Sequence, residues 1–240
     1  MRPVVRGKWP TDEQDREIQF NKYTEARGEL IARMGEYCSY CETKINSDLA
    51  VEHIRPKKPK GAMENIPSRE LYWDNFLLAC KNCNSTKGNK EVVLDDYFWP
   101  DRDNTFRALK YSEGGIVSPS DELDVGLKEK AQATITLTGL DKRPLNDPKK
   151  ASDRRWEHRK EIWDIAVDYE ADLKEDDIQK IRERIIVAAK ATGFWSIWTT
   201  VFKDHPEMLK GFIKAFPGTS EECFDESEGY KAVNRVGGNI

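Results

Sequence analysis

The chain has 240 residues, of which 34% are charged and 38% hydrophobic, and its formal net charge at pH 7 is −4. The hydrophobic fraction is enough for a sizeable core, but no apolar run approaches the ~18 residues of a membrane span, and the N-terminal residues lack the hydrophobic region of a signal peptide. We therefore expect a globular, cytoplasmic protein without membrane contact. The acidic balance does not favour a nucleic-acid binder, although a local basic patch is sufficient to contact phosphates.

Residues 1–37 are predicted to form an N-terminal helical segment. Thr11 as N-cap and Gln14 three residues later make a capping box, which indicates a helix start. Apolar residues then recur at helical spacing as far as Met34, and Gly35 offers a C-cap.

Residues 38–100 are predicted to form one module. Within it, residues 38–90 lose the helical period and are rich in Cys, Lys, Asn, Gly and Pro, so they need a stabilising feature other than a large apolar core. Two C-x-x-C pairs provide the four thiolates that a tetrahedral structural Zn²⁺ requires. Disulfides are rare in a reducing cytosol, and a redox C-x-x-C would not need to occur twice. The spacing predicts a structural zinc site, with buried free thiols as the alternative. The predicted ligands are Cys38, Cys41, Cys80 and Cys83.

The segment between and after the cysteine pairs contains further ordered motifs. Residues 51–56 read VEHIRP, residues 73–83 read WDNFLLACKNC, and residues 84–88 read NSTKG. In this order the motifs resemble the HNH endonuclease family over residues 38–90. The resemblance implies a ββα-metal fold in which a zinc knuckle surrounds a nuclease active site.

The resemblance also implies roles for four side chains. His53 would be the general base, and a neutral imidazole suits that task near neutral pH. Asn75 would orient the ring of His53 by a hydrogen bond. Glu52, on the opposite side of the strand, and Asn84, at the start of the following helix, would bind a catalytic divalent ion. The alternative roles are a surface ion pair for His53 and helix or turn capping for the two asparagines.

Two positions depart from the usual family pattern. Many members have Asp where this chain has Glu52, and many have His where it has Asn84. Because an amide oxygen is a harder ligand than imidazole, Mg²⁺ or Mn²⁺ is favoured over a softer ion. The choice between these two ions stays open.

Basic residues follow the motif and are candidates for phosphate contact, with a solvated loop as the alternative. The predicted nucleic-acid-binding residues are Arg55, Lys57, Lys58 and Lys87.

Residues 101–150 are predicted to be a short β or irregular connector, with a hairpin around residues 113–115. Residues 151–217 contain several amphipathic stretches and are predicted to be a helical domain, in which Pro206 begins the last helix. Residues 218–240 are predicted to be a polar tail with few core candidates. Four aromatic residues of the helical domain are assigned to the core, with an exposed protein-docking patch as the alternative. They are Trp195, Trp198, Phe202 and Phe212.

The part of the chain after the motif is similar to the HNH proteins that accompany retrons and ATPase-linked defence operons, above all to the Septu nuclease (PtuB) family. This likeness implies anti-phage defence and an ABC/SMC-like ATPase partner (PtuA-like) in a hetero-oligomer. The residues that carry it include Phe106, Tyr111, Gly115, Ile135, Gly139, Leu145, Arg154, Phe216 and Cys223.

Together these observations predict an α+β protein that acts as a metal-dependent endonuclease on DNA. Two other functions remain open. The first is an RNA-cleaving toxin that acts on transfer RNA. The second is a zinc-stabilised nucleic-acid-binding module whose catalytic site has decayed.

Overall fold

The computed structural model describes residues 1–143 and 153–240, which mix helices with small sheets, as the predicted class requires. Within these residues no helix is both long enough and apolar enough to cross a membrane. Leu145 and the predicted boundary between residues 150 and 151 lie outside the described residues. The helices are α1 (Arg27–Met34), α2 (Pro67–Glu70), α3 (Lys81–Lys87), α4 (Thr105–Ala108), α5 (Val125–Thr138), α6 (Arg155–Glu175), α7 (Gln179–Thr192), α8 (Trp195–Val201) and α9 (Pro206–Ala215). The strands are β1 (Ala50–His53), β2 (Phe76–Ala79), β3 (Leu109–Ser112), β4 (Ile116–Pro119), β5 (Phe224–Asp225) and β6 (Lys231–Ala232).

The N-terminal helix begins later than the capping box indicates. Thr11 is not an N-cap, because it forms an isolated antiparallel bridge with Glu17. The carboxylate of Asp12 accepts the backbone N–H of Gln14 at 2.9 Å, which closes a local turn in place of a helix. Helix α1 ends as predicted at Gly35, whose φ is 78°.

The predicted connector contains the expected hairpin and a helix that the sequence did not indicate. Strands β3 and β4 pair antiparallel across the turn Glu113–Gly115, which confirms the hairpin. Helix α5 begins after the N-cap Asp124 and ends at Gly139 in the left-handed region. Its threonines have low helix propensity, but Thr134 and Thr138 are buried and donate to the carbonyls four residues earlier. Burial against the rest of the molecule therefore outweighs local propensity.

The helical region after residue 153 is built around aromatic side chains. Pro206 is the first residue of α9, as predicted. The four aromatic residues assigned to the core are each at most 1% exposed, so they do not form a docking patch. They belong to one cluster of buried apolar residues that also includes the hairpin and all four cysteines of the C-x-x-C pairs. The cysteine-rich segment and the helices therefore share a core.

The C-terminal residues are more closely packed than a polar tail. Thr219 bridges to Val4 in an antiparallel pair, and β5 pairs with β6. Cys223 is completely buried and Ile240 is only 2% exposed. Three apolar residues of this segment are buried, namely Cys223, Phe224 and Ile240, and the bridge from Thr219 to Val4 connects the segment to the N-terminal residues.

Candidate active site

A ββα unit carries the predicted active-site residues. Strands β1 and β2 pair antiparallel, with His53 opposite Phe76. Glu52 and His53 are the last two residues of β1, where the side-chain alternation of a strand separates them, and both residues contribute to the lining of one cavity at the strand end. Helix α3 begins directly after β2, and Cys80 between them is its N-cap. The Sγ atom of Cys80 accepts the backbone N–H of Cys83 at 3.3 Å.

The four cysteines of the C-x-x-C pairs converge in a buried cluster in which all Sγ atoms lie within 4.8 Å of one another. The Sγ atoms of Cys41 and Cys80 are 3.7 Å apart. Tetrahedral zinc with Zn–S bonds of about 2.3 Å requires sulfur–sulfur distances of about 3.8 Å. Hydrogen bonds from Cys38, Cys80 and Cys83 lower the pKa of Cys41 well below its usual value, whereas burial raises the pKa of Cys38 and that of Cys83 well above it. The cluster fits a structural zinc ion.

Arg155, at the start of α6, contacts the cysteine cluster from outside the two C-x-x-C segments. Its Nη1 atom donates to Sγ of Cys83 at 2.9 Å and to the carbonyl of Thr138 at 2.9 Å. Burial acts to lower the pKa of Arg155, but the bond to Asp153 and the negative charge of Cys83 raise it overall. The guanidinium thus offsets the net negative charge of a four-thiolate zinc site. Arg155 is one of the residues that carry the likeness to defence-associated HNH proteins, but that likeness assigned it no role at the cysteine cluster.

His53 has the environment of a general base. The side chain is 8% exposed, and its Nε2 atom lies 3.0 Å from the carbonyl oxygen of Glu70. Because a carbonyl only accepts, the neutral ring carries its proton on Nε2 and keeps a lone pair on Nδ1. The rings of Tyr23 and Phe76 meet it edge-on, with centroid distances of 4.9 and 5.3 Å. Burial lowers the pKa of His53, so the imidazole is neutral at pH 7.

Glu52 is buried and lies against a buried lysine. Its Oε1 atom is 2.8 Å from Nζ of Lys87, and the side chains are 5% and 0% exposed. The same Nζ atom donates to the carbonyl of His53 at 2.7 Å. Burial raises the pKa of Glu52, whereas the charge of Lys87 opposes that shift. The prediction that Lys87 contacts nucleic acid is therefore wrong, because its side chain points into the interior.

Asn75 does not make the predicted hydrogen bond to the imidazole. Its Oδ1 atom accepts the backbone N–H of Arg55, and its Nδ2 atom donates to the carbonyls of Arg55 and Arg69, each at 2.8 Å. The ring of His53 is held by the carbonyl of Glu70 instead. Asn75 closes the loop that follows β1, so it acts on the backbone around the site.

A cavity of about 290 Å³ lies beside the imidazole, and its lining includes Glu52, His53 and Asn84. The cavity also contacts Tyr23 and Lys58. One carboxylate and one amide oxygen are hard donors, and Mg²⁺ is commonly held by one or two carboxylates together with waters and substrate phosphates. Glu52 and Asn84 offer oxygen donors of this type at the cavity, and Oε1 of Glu52 is also paired with Nζ of Lys87.

The other three predicted phosphate contacts differ in whether an acidic side chain of the protein lies close to their positive charge. Arg55 lies 3.8 Å from Glu91. Lys57 pairs with Glu70 at 3.2 Å and stands over the ring of Tyr23, so its charge is partly used within the protein. Lys58 is exposed at the cavity and has no ion pair within the described residues. His53 is contacted by the backbone carbonyl of Glu70 and by the aromatic ring of Tyr23. The spacing of residues in the sequence indicated neither contact.

Comparison with known proteins bears on this segment alone, and no curated protein matches the chain. Residues 38–90 match the family model described as HNH endonuclease. The matched residues contain both cysteine pairs, β1, β2, α3 and the imidazole at the cavity. The match supports an HNH domain at residues 38–90, and with it a nuclease.

Proposed function

We propose that this protein is a metal-dependent HNH endonuclease that hydrolyses phosphodiester bonds in DNA, with His53 as the general base. The observation that carries the proposal is the state of the imidazole. It is buried and neutral, it is held through Nε2 by a backbone carbonyl, and it lies at a cavity next to Glu52 and Asn84. A base near neutral pH requires such a free, unprotonated nitrogen.

In the proposed reaction, Nδ1 of His53 takes a proton from a water molecule as the water oxygen bonds to phosphorus and the bond to the leaving oxygen breaks. Glu52 and Asn84 would hold Mg²⁺ or Mn²⁺, and such an ion stabilises the negative charge on the phosphate and the leaving oxygen. Lys58 would contact the phosphate backbone from the rim of the cavity. Asn75 would keep the loop after β1 in place.

The biological setting is part of the proposal and rests on the resemblance to the Septu nuclease (PtuB) family. We propose a cytoplasmic nuclease effector of anti-phage defence that forms a hetero-oligomer with an ABC/SMC-like ATPase (PtuA-like). The net charge of −4 agrees with a partner that supplies part of the positive surface for DNA.

The test is cleavage of supercoiled plasmid by the zinc-loaded protein with Mg²⁺ or Mn²⁺, alone and with the ATPase. We expect nicking that requires the metal and falls at least ~10²-fold in His53→Ala, the scale of general-base catalysis. His158→Ala is the matched control, since this histidine is exposed on α6. Equal cleavage by His53→Ala would refute the assigned base.

Substrate comparison separates the other two functions. Preferential cleavage of transfer RNA over plasmid and single-stranded DNA would indicate an RNA-cleaving toxin. Binding of nucleic acid without cleavage of any of them, with the partner present, would indicate a binding module with a decayed site.

A further inference from the structure

Lys87 is a charged side chain with no exposed surface, which is rare for lysine. Its Nζ atom lies 2.8 Å from Oε1 of Glu52 and donates to the carbonyl of His53 at 2.7 Å. A phosphate in the cavity cannot reach an ammonium that is enclosed on all sides. The charge of Lys87 therefore acts within the protein.

The position of Lys87 connects two elements of the candidate site. It is the last residue of α3, and its two partners lie at the end of β1. Asn84 is three residues earlier, so both side chains project from one face of this short helix. A contact that holds Lys87 against β1 also fixes how far Asn84 stands from Glu52 across the cavity.

The energetics argue against a purely space-filling role. Removing an ammonium and a carboxylate from water is costly, and well-packed apolar residues often stabilise a core at least as well as a buried ion pair. An apolar side chain, however, can neither donate to the carbonyl of His53 nor offset the buried charge of Glu52. The hydrogen bond from Lys87 to the carbonyl of His53 thus has a preferred direction, which apolar packing alone does not provide.

We propose that Lys87 is a positioning residue that ties the carboxylate of Glu52 and the carbonyl of His53 to the last turn of α3. In this way it sets the separation between the strand and the helix that carry the active-site side chains. As a statement about catalysis this rests on the proposed nuclease function, but the link between Glu52 and Lys87 can be measured without it.

The first experiment is a double-mutant cycle in thermal unfolding with Lys87→Met, Glu52→Gln and the double variant. Lys87→Met leaves a buried carboxylate without its partner, so we expect the midpoint to fall by about 10 °C or the fold to be lost. The double variant leaves no unpaired charge and should recover most of this loss. Additive losses, or a double variant that also fails to fold, would overturn the proposed link.

The second experiment measures the binding of a DNA duplex as a function of salt, with Lys58→Met as the matched control. We expect Lys58→Met to reduce the slope of log K against log salt by about 1 and Lys87→Met to leave it unchanged. An equal reduction by both variants would make Lys87 a phosphate contact and overturn the inference.

The third experiment compares steady-state cleavage by folded Lys87→Met with that by the wild type. A positioning role predicts a kcat at least ~10²-fold lower with an unchanged KM, because geometry at the reacting atoms is lost while substrate binding is kept. An unchanged kcat would overturn the role. A wild type that cuts no substrate would refute the proposed function, and the unfolding cycle would then decide the link by itself.

Discussion

The orientation of His53 depends on main-chain atoms. The carbonyl of Glu70 determines which ring nitrogen carries the proton, and the amide of Asn75 clamps the loop by three bonds to backbone atoms of Arg55 and Arg69. Every residue type has a carbonyl, so such contacts leave no signature in a sequence. The motif therefore identified Asn75 as a residue of the site. It did not indicate that the amide of Asn75 bonds to backbone atoms rather than to the imidazole of His53.

The lowered pKa of His53 predicts how activity and stability change with pH. Cleavage should be full at pH 7 and fall as the pH decreases below 6.5 through the lowered pKa, because the protonated ring cannot accept a proton. The unfolded chain protonates His53 at a higher pH than the folded chain. The free energy of unfolding therefore rises with pH between these two values, and this contribution is lost below the folded-state pKa.

The measurement is a pH–rate profile together with denaturant unfolding at several pH values for the wild type and His53→Gln. His158→Gln is the control and should follow the wild type. An acid limb of the same size in residual cleavage by His53→Gln would contradict the assignment of that limb to His53.

Asn75→Ala should destabilise the protein while leaving the base intact. Three part-buried hydrogen bonds are lost, at about 1 kcal/mol each, so the free energy of unfolding should fall by about 3 kcal/mol. Residual cleavage should keep the acid limb of the wild type, because the ring contact to Glu70 remains. Asn65→Ala removes an exposed asparagine and should change unfolding little. An acid limb displaced in Asn75→Ala would instead indicate direct contact with the ring.

Elements that are distant in sequence meet at the cysteine cluster. Arg155, at the start of α6, bonds to the carbonyls of Thr138 and Gly139 at the end of α5 and to Sγ of Cys83 in α3. One guanidinium thus joins α6 to α5 and α3 at the cysteine cluster. The helical region and residues 38–90 are therefore linked through this cluster as well as through apolar packing.

Arg155→Met should loosen this junction. We expect the free energy of unfolding to fall by about 3 kcal/mol, since the half-buried carboxylate of Asp153 and two helix-terminal carbonyls lose a partner. Zinc should pass faster to a chromogenic chelator, which can be followed by absorbance. Arg154→Met is the matched control, because this neighbour is 58% exposed and its one ion pair among the described residues is with Glu157. Equal zinc-release rates in the two variants would contradict the junction.

The apolar core is continuous from the cysteine cluster to the C-terminal helices. Zinc binding in comparable four-ligand sites contributes on the order of 10 kcal/mol, which is similar to the whole stability of a typical domain. A loss of the metal should therefore affect the entire molecule rather than the knuckles alone.

Removal of zinc with a strong chelator should lower the unfolding midpoint of the whole chain, and Cys38→Ser should abolish zinc binding. Circular dichroism and elemental analysis of the purified protein measure the two effects. Cys223→Ser is the control, because Cys223 is buried outside the cluster and should leave the zinc content unchanged. A midpoint that does not respond to the chelator would refute the structural role of the metal.

Local patterns in the sequence were sufficient for the cysteine pairs, the hairpin around residues 113–115 and the later helices. Ligand spacing, turn residues and helical periodicity act over a few residues, so they are visible without the fold. The same local reasoning failed at Thr11, where Asp12 forms a competing turn, and at α5, whose threonines are stabilised by burial.

The tertiary structure alone decided which polar groups become partners. The sequence indicated that Glu52, His53, Asn75 and Lys87 belong to one site, but Lys87 turned inward to Glu52 and Asn75 turned to the backbone. Arg155 entered the cysteine cluster from a distant helix. A buried charge or amide must be satisfied by whatever donor or acceptor the packing brings within reach, and that choice depends on contacts between residues far apart in the chain.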